Sequence, residues 1–502
     1  MATFLSKSKL MVYRQCPRRL WLELHAPERR EDSSGSAVRY GTGLAVGAIA
    51  RRLYDPHAQG ILIDMEQLGL AGACKATEGA LLDRRPIFEA TFAADGALAL
   101  ADIILPIEDG SWQMVEVKSS TSIKDVYRED LAIQAYVARQ FGLDLSTLSL
   151  ALVDSSWTYP GDGDYRGLLW EVDLTEETLQ RCREVPRWIA GAQEIAFGDS
   201  LPDTHTGRQC DDPYPCPFFV HCRSLEPTVD YPIEWLPRFP AQRWIDQGIT
   251  DLRDLPEEIL NDQQRLVRDC TLNQQIFFDQ IGAEADLAPY PLPALFLDFE
   301  TIQFAVPIWA GTRPYQQIPF QYSLHQLDSH GRLEHCEFLD LSGQDPSRGF
   351  AEQLIQDAGS NEPIFVYNAG FERSRMADLG RRFPDLSEAM QAIIDRVVDL
   401  LPIARNRYYH SAQHGSWSIK AVLPAAVPEL SYQDLEGVQD GGSAQEAFLE
   451  AIDESTPTER KEQLRQQLLA YCKLDTYAMV RLWEVFSGKL PVQQNLGNAK
   501  LL

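Results

Sequence analysis

The chain has 502 residues, which is too long for one ordinary hydrophobic core and predicts two main domains with connecting structure. Hydrophobic residues make up 44% and aromatic residues 10%, as in a folded enzyme, and there is no low-complexity tract. The first residues, MATFLSKSKLMVYRQC, lack the long apolar core of a signal peptide, and no apolar run approaches membrane-spanning length. We therefore expect a cytoplasmic protein that does not enter a membrane.

The formal net charge is -27 at pH 7. A uniformly negative surface repels phosphate and loses the counterion release that drives nucleic-acid binding. It does not exclude a nuclease, because clusters of divalent metal ions require carboxylates. Several arginines form local basic groups, which either line a groove or belong to solvated surface: Arg14, Arg18 and Arg19; Arg51 and Arg52; Arg405 and Arg407.

The first half of the chain predicts an α/β core. Hydrophobic periodicity and Asp-Gly turns give five expected elements in chain order: a helix over 7–26, an amphipathic helix over 37–54, a meander of short strands over 86–118, a helix over 123–141 and a strand over 145–154. The polar residues of this core then project from two adjacent strands of the meander.

Those strands carry the first candidate metal site. In MVEVKSS, Glu116 and Lys118 are two apart and leave the same face, while Val115 and Val117 enter the core. Asp102 on the preceding strand can come opposite them across the hairpin. Two carboxylates can hold Mg²⁺ or Mn²⁺ against a phosphodiester, and the lysine can orient water or stabilise developing charge. Taken alone, a Glu-Lys pair on a strand is more often an exposed ion pair.

Four of the nine cysteines suit a metal-binding loop. Cys210, Cys216 and Cys222 follow one another in CDDPYPCPFFVHC, and Cys16 in YRQCPRRLW can supply a fourth ligand. In a reducing compartment this pattern favours a metal over a disulfide. Spacing alone fits an iron-sulfur cluster or a zinc ion, the latter completed by Cys16 or His221. The other cysteines are interpreted as scattered core or helix residues: Cys74, Cys182, Cys270, Cys336 and Cys472.

Together with the helix LAIQAYVARQFG, which carries Gln134 and Tyr136, these residues resemble the RecB-like nucleases of the PD-(D/E)XK superfamily. The resemblance covers residues 1–225. It is to the subgroup with a [4Fe-4S] cluster, which includes the nuclease of CRISPR spacer adaptation and the AddB-type recombination nucleases. It implies a restriction-endonuclease-like fold with these roles: Cys16, Cys210, Cys216 and Cys222 as cluster ligands, and Asp102, Glu116 and Lys118 as catalytic residues.

Nucleases of this kind often place a metal-binding histidine on the second helix. Here the comparable stretch, GTGLAVGAIARR, offers Gly47 and no histidine. Metal binding is then expected to rest on Asp102, Glu116 and a backbone carbonyl such as that of Val117.

Residues 226–293 contain no catalytic candidate. The helix-glycine-helix rhythm around Gly248 and Ile249 is typical of a DNA-binding helical hairpin, but one such unit is better interpreted as a small helical linker. The proline-rich stretch ADLAPYPLPA marks its end.

The second half begins with ALFLDFETIQ, an apolar strand on which Asp298 and Glu300 share a face. Buried strands seldom carry two acids on one side unless a cation is present. PIFVYNAGFERSRMADLG predicts a strand, a turn and a helix that bears Glu372, and a long amphipathic helix places Tyr471 and Asp475 four apart on one face. Acids that converge from such elements predict a two-metal site.

The order Asp-x-Glu, Asn-x-x-Phe-acid and Tyr-x-x-x-Asp resembles the DEDD exonucleases of the RNase H-like fold, in the variant with tyrosine. The resemblance covers residues 294–502 and implies these roles: Asp298, Glu300 and Asp475 as metal ligands, Glu372 as the further acid, Tyr471 as the group that positions water, and Asn368 beside the site. The family normally has aspartate where this chain has Glu372. The segment with Asp399 and Lys420 resembles the helix and connecting turn between the second and third motifs of such exonucleases. Four residues after Asp399 either contact a nucleic acid strand or pack on the surface: Arg405, Arg407, Tyr408 and Tyr409.

The whole arrangement resembles bacterial fusions of two nuclease domains. It implies a metal-dependent deoxyribonuclease with two active sites that acts on single-stranded DNA ends or flaps, in DNA repair or defence against foreign DNA. The missing histidine and Glu372 support an alternative, a nucleic-acid-binding iron-sulfur scaffold with one or both sites inactive. RNA is an alternative substrate of the second domain, because the same metal chemistry serves either polymer.

Overall fold

In a computed structural model, the structure describes residues 4–32, 36–432 and 435–489. The chain divides into two compact units: Met1–Pro227 with Gln303–Gln316, and Thr228–Ile302 with Gln317–Leu502. Both units combine helices with a β-sheet, so the predicted α/β class is confirmed. Within the described ranges, no helix is long and apolar enough to cross a membrane.

The first unit contains seven strands and eight helices among its described residues: β1 (Leu5–Ser6), α1 (Lys7–Gln15), α2 (Pro17–His25), α3 (Ser36–Tyr54), β2 (Ile61–Leu62), α4 (Met65–Leu82), β3 (Ile87–Ala94), β4 (Ala97–Pro106), β5 (Trp112–Lys118), α5 (Asp125–Phe141), β6 (Leu145–Val153), β7 (Leu169–Asp173), α6 (Thr175–Arg181), α7 (Val185–Phe197) and α8 (Phe219–Ser224).

Strands β3, β4 and β5 form the predicted antiparallel meander. The Asp95-Gly96 pair joins the first two with φ of 48° and 78°, both positive as a two-residue hairpin turn of this kind requires. Helix α5 then leads to β6, which pairs with β5 in parallel. The sheet has the order β2-β3-β4-β5-β6-β7, with β1 parallel to β4. The meander, the helix and the following strand are thus confirmed.

The helix predicted over residues 7–26 is wrong in one respect, because it is two helices. Cys16 has extended backbone angles, with φ of -161° and ψ of 120°, and Pro17 begins α2. Proline disfavours helical angles at the residue before it and is itself well placed at the first position of a helix. The break therefore turns the chain at the cysteine.

The second unit contains seven strands and ten helices in the residues described: α9 (Ala241–Ile245), α10 (Asp262–Asn273), β8 (Ile276–Phe278), α11 (Gln280–Leu287), β9 (Ala294–Ile302), β10 (Ile318–Leu327), β11 (Leu333–Leu339), α12 (Ser347–Asp357), β12 (Ile364–Val366), α13 (Gly370–Arg382), α14 (Ser387–Asp395), β13 (Val397–Asp399), α15 (Leu400–Arg407), β14 (Tyr408–His410), α16 (Ile419–Ala426), α17 (Gly441–Ile452) and α18 (Thr458–Phe486).

The main sheet of this unit has the order β11-β10-β9-β12-β13. Strands β9, β10 and β11 are antiparallel neighbours, whereas β12 and β13 continue the sheet in parallel with β9. Leu297 and Phe299 of β9 pack with residues of α12, α13 and α14. Phe296 points to the other face, where its ring meets Trp483 of α18. Since Asp298 and Glu300 alternate with Leu297 and Phe299, they share the face covered by α18.

Residues 228–293 belong to the second unit. Helix α9 lies before Gly248, and a 3-10 turn over Leu252–Asp254 follows it. Strand β8 pairs with β14 through Phe277 and Tyr409. Much of the segment predicted as a linker is thus built into the fold of this unit.

Candidate metal centres

In the first unit, three acidic residues lie side by side on neighbouring strands. The pair Ile103 and Val115 is the last in the ladder of β4 and β5, and Asp102 and Glu116 come next on each strand. Beyond this pair, the Val117 N–H donates to the side chain of Asp102 in place of a backbone carbonyl of β4, with 2.8 Å to Oδ2. The predicted Asp102 and Glu116 are therefore brought together at the point where two strands diverge.

Glu89 of β3 is the third acid, and it was not predicted. The pairs Phe88 with Ile103 and Ala90 with Ala101 place it opposite Asp102. A cavity of about 250 Å³ is lined by these acids and by groups from other elements: Glu89, Asp102, Glu116, Val117, Lys118, Lys7, Ile103, Gly43, Leu44, Gly47 and Arg51. Glu89 carries no local sign of a site residue in the sequence, because a single glutamate on a strand usually lies on the surface.

Lys118 meets Glu116 as predicted, with 2.6 Å between its Nζ and Oε1. Two further residues complete this network. Asp130 of α5 receives Lys118 at 2.5 Å, and Lys7 at the start of α1 lies 3.0 Å from Asp130 and 3.2 Å from Glu116. Gln134 donates to Asp130 at 3.0 Å. In the sequence, Asp130 stands out only as an aspartate on the apolar face of a predicted helix, where charged residues are rare.

Burial dominates the electrostatics of this centre. Burial and the charge of Glu116 raise the pKa of Asp102 well above its ordinary range. Burial opposes the positive charge of Lys118, but Asp130 and Glu116 outweigh it and raise the pKa of that ammonium. Burial likewise opposes ionisation of Asp130, yet the two lysines lower its pKa. The lysines are thus held charged beside an acid that resists ionisation.

The four predicted cysteines lie together and are free thiols. Cys210, Cys216 and Cys222 each lie within electrostatic reach of Cys16, and burial raises the pKa of all three, that of Cys216 to about 11. Cys216 N–H donates to the Cys210 carbonyl at 2.7 Å. Gln15 donates to the carbonyls of the same loop at Gln209 and Tyr214. The start and the end of the first unit therefore meet at these sulfur atoms.

In the second unit, Asp298, Glu300 and Asp475 form a group in which one oxygen of each lies within 4.8 Å of the others. Strand β9 supplies the first two and α18 the third. Glu300 and Asp475 are buried, with 8% and 6% of their surface exposed. The sequence prediction of these three as neighbours agrees with this geometry. Glu372 is buried but is not part of the 4.8 Å group.

Ionisation of this group is unfavourable. Burial, followed by the charge of Asp475, raises the pKa of Glu300 to about 8. Burial raises the pKa of Asp475 to about 6, although the hydroxyls of Tyr432 and Tyr471 and the charge of Lys420 act against it. The pKa of Asp298 is raised well above its ordinary range by burial and by the neighbouring acids. A divalent cation removes such a penalty by pairing with all three charges.

Two tyrosines and a lysine flank the acids. Tyr432 donates to Asp475 Oδ1 at 2.5 Å, and the predicted Tyr471 lies one helical turn before Asp475. The Lys420 ammonium lies over both rings, 5.3 Å from the centre of Tyr432 and 5.0 Å from that of Tyr471. Tyr432 was missed because it lies outside every motif.

Glu372 and Asn368 lie on the turn and helix that follow β12. Glu372 is 3% exposed, and burial raises its pKa to about 8. Its charge also contributes to the raised pKa of Asp298. Asn368 has a φ of 76°, and Asp399 fixes this turn by accepting from the backbone N–H groups of Asn368 and Ala369 at 2.9 and 3.0 Å. Asp399 is therefore a positioning residue for α13.

The interpretation of residues 405–409 as a nucleic acid contact is wrong for its tyrosines. Tyr408 and Tyr409 are fully buried and present no ring to a nucleotide. Arg407 pairs with Asp279 at 2.6 Å and Asp286 at 2.8 Å. The packing alternative accounts for these three residues.

Replacing Tyr432 by phenylalanine is expected to destabilise the metal-free protein more at pH 8 than at pH 5. At pH 8 the Asp475 carboxylate is charged and loses a hydrogen-bond donor, which costs about 1.5 to 3 kcal/mol for a charged partner. At pH 5, below its pKa of about 6, Asp475 is largely protonated and loses less. Denaturant unfolding in EDTA measures the difference. Tyr477→Phe is the matched control on α18, and an equal loss at both pH values would contradict the assignment.

Comparison with known proteins gives one family model and relatives that match part of the chain. Residues 295–418 match a family described as Domain of unknown function (DUF2779). The uncharacterized protein MG366 of Mycoplasma genitalium is 27% identical over 208 residues, 38% of this chain and 31% of that protein. Its homolog in Mycoplasma pneumoniae is 29% identical over 211 residues with the same coverage. The chain thus spans less than a third of the length of these curated relatives.

Among solved structures, the crystal structure of SSO0001 aligns with 45% of this chain and 88% of that chain, at 16% identity and a TM-score of 0.21. The family match spans the strand with Asp298 and Glu300 and the helix with Glu372, and it ends before α18.

Proposed function

We propose that the protein is a nuclease with two active sites that hydrolyses DNA phosphodiester bonds with Mg²⁺ or Mn²⁺, at single-stranded ends or flaps. The observation that carries the proposal is the convergence of Asp298, Glu300 and Asp475, with oxygens within 4.8 Å of one another. Three mutually repelling carboxylates in a largely buried place are stabilised by a hard divalent cation that takes oxygen ligands.

The second unit supports an RNase H-like domain of the DEDD type. Its central strand carries two acids, two antiparallel strands lie on one side and two parallel strands on the other, and a C-terminal helix brings the third acid. Asp298, Glu300 and Asp475 would hold the ions, which polarise the scissile phosphate and activate water when bound. Glu372, in the first turn of α13, is the further acid of this domain.

The tyrosines and Lys420 have separate tasks in this site. Burial, followed by the charge of Asp475, raises the pKa of Tyr471, so its hydroxyl stays protonated and can donate a hydrogen bond to orient a water molecule. Tyr432 holds Asp475 in place through its hydrogen bond of 2.5 Å. The Lys420 ammonium adds positive charge where a phosphate anion would approach.

The first unit supports a RecB-like domain of the PD-(D/E)XK type. Asp102 and Glu116 would hold a divalent ion in the cavity where β4 and β5 diverge. Lys118 and Lys7 are the cationic groups beside it, and Asp130 positions both. Val117 donates its N–H to Asp102, which fixes one of the two acids. The pair of lysines can neutralise charge that develops on the phosphate.

We propose that the four cysteines are the ligands of a [4Fe-4S] cluster. Within the part of the chain that the structure describes, no three of their sulfur atoms lie within 4.8 Å of one another. Tetrahedral zinc with bonds of about 2.3 Å would hold its thiolates about 3.8 Å apart, whereas a four-iron cluster spaces them more widely. Four free thiols from two distant segments, three of them buried and Cys216 partly buried, fit the larger group.

The proposal is tested by Mn²⁺-dependent digestion of single-stranded DNA labelled at either end. The wild-type chain is compared with Glu116→Gln, Asp298→Asn and the double variant. Each single substitution removes a metal ligand and is expected to lower the cleavage rate at its own site by about 10³-fold or more. The double substitution is expected to remove cleavage at both sites. Exposed Glu108 and Glu454 offer matched controls as glutamine variants.

Cleavage that survives in the double variant would contradict the assignment of both sites. Loss in one single variant alone would identify the half that works. Binding of DNA without any Mn²⁺-dependent cleavage would instead support the iron-sulfur scaffold. Labelled RNA of the same sequence is digested in parallel, and RNA cleavage lost in Asp298→Asn would assign RNA to the second unit.

A further inference from the structure

We infer that Glu89 is a third carboxylate ligand of the divalent cation at the first site. The inference rests on the proposed metal site of the first unit and extends it by a residue that lies in none of the sequence motifs. It follows from the strand register, the backbone conformation of Glu89 and a buried oxygen of Glu116 that has no hydrogen-bond partner among the described residues.

The register puts the three acids in one row. Glu89 lies opposite Asp102 between the pairs Phe88 with Ile103 and Ala90 with Ala101, and Asp102 is followed across the hairpin by Glu116. All three line the same cavity of about 250 Å³. Like charges at directly opposed strand positions repel one another. A cation between them turns this repulsion into attraction.

The backbone of Glu89 is held in an unusual conformation. Its φ is 54°, in the left-handed region, although it is neither glycine nor a turn residue and lies within β3. A side chain with a Cβ adopts this conformation at an energetic cost, and such residues concentrate at functional sites where the surroundings enforce them. Glu89 therefore departs from regular strand geometry at the position where it lines the cavity.

A second observation points to a ligand in this cavity. Glu116 is 1% exposed, and its Oε1 receives both Lys118 and Lys7. Its other oxygen, Oε2, is buried and has no hydrogen-bond partner among the described residues. A buried carboxylate oxygen without a partner is costly, and a bound cation satisfies it.

Among the residues that the structure describes, the remaining wall of the cavity offers no other carboxylate. Helix α3 presents Gly43, Leu44, Gly47 and Arg51 to it. The glycines have no side chain, and the arginine is a cation whose Nη1 lies 3.8 Å from Glu89 Oε1. Since α3 contributes no acid or histidine here, Glu89 is the side chain available to complete a three-carboxylate set with Asp102 and Glu116.

The inference is tested by isothermal titration of Mn²⁺ into the full chain with its cluster intact. Asp298→Asn and Asp475→Asn are present throughout, so that the second site does not contribute. Glu89→Gln is expected to weaken Mn²⁺ binding about 10-fold or more, because it removes one of three charged ligands. Glu108→Gln, an exposed acid between β4 and β5, is the matched control and is expected to bind as the background chain does.

Thermal unfolding provides a second readout. Without Mn²⁺, Glu89→Gln is expected to unfold at the same temperature as the background chain or higher, because repulsion among the acids is relieved, and its rise in midpoint with Mn²⁺ is expected to shrink. Unchanged Mn²⁺ affinity in Glu89→Gln, with affinity lost in Asp102→Asn, would overturn the role of Glu89 and leave the proposed site standing. Affinity unchanged in Asp102→Asn as well would overturn the proposed site itself.

Discussion

Cys16→Ser is expected to prevent binding of the proposed [4Fe-4S] cluster and to destabilise the first unit by about 5 kcal/mol or more. Cys16 lies at the break between α1 and α2, next to the three cysteines of the loop over residues 210–222. When ligands come from two distant segments, the free energy of metal binding is also free energy of folding, of the order of 10 kcal/mol for structural metal sites. Loss of one ligand removes a large part of this folding free energy.

The effect should reach the cavity lined by Asp102 and Glu116. Helix α1 begins at Lys7, whose ammonium contacts Glu116 and Asp130, and ends next to Cys16. Gln15, at the end of the same helix, donates to the carbonyls of the cysteine loop. A loosened loop therefore frees α1 and withdraws one of the two lysines from the acids.

Three measurements check this prediction after anaerobic purification: iron content, the brown visible absorption of the wild-type chain, and thermal unfolding of both proteins. Cys74→Ser, in α4 of the same unit, is the matched control and should keep its iron. A colourless wild-type protein that contains zinc would contradict the iron-sulfur assignment. Full iron content in Cys16→Ser would show that Cys16 is no ligand.

Glu300→Gln is expected to make the metal-free protein more stable than the wild type at pH 8.5, by about 2 to 5 kcal/mol. Burial and the nearby Asp475 raise the pKa of Glu300 from its ordinary value of 4.5 to about 8. Between these two values the folded state keeps a proton that the unfolded state releases, so stability falls as pH rises across the interval. Glutamine has no proton to lose and shows no such fall.

Mn²⁺ should narrow this difference in stability. A cation bound by Asp298, Glu300 and Asp475 stabilises the folded wild type by about 2.7 kcal/mol at a concentration 100 times its dissociation constant. The variant lacks one ligand and gains less. Denaturant unfolding at pH 6 and pH 8.5, in EDTA and in Mn²⁺, gives four free energies of unfolding for each protein. Glu454→Gln, an exposed acid of the same unit, is the control.

Two results would count against this account of the second site. A wild-type stability in EDTA that does not fall between pH 6 and pH 8.5 would show that Glu300 ionises without penalty. An equal gain from Mn²⁺ in wild type and Glu300→Gln would show that the cation does not bind to Glu300.

Local pattern in the sequence determined much of the scaffold. The alternation around Asp298 and Glu300 predicted a strand with both acids on one face, and the spacing of Tyr471 and Asp475 predicted one helix face. The Asp-Gly pairs predicted the turns of the meander that carries Asp102 and Glu116. These features depend on residues a few positions apart, so periodicity alone fixes them.

The gathering of side chains from distant segments was decided by the tertiary structure. Lys7 and Asp130 are 123 positions apart in the chain and meet beside Glu116, and Tyr432 reaches Asp475 across 43 positions. No periodic pattern contains such pairs, because they depend on how helices pack against a sheet. The same packing buries Tyr408 and Tyr409, which resemble exposed binding residues in the sequence. The positive φ of Glu89 is likewise a feature that its residue type does not predict.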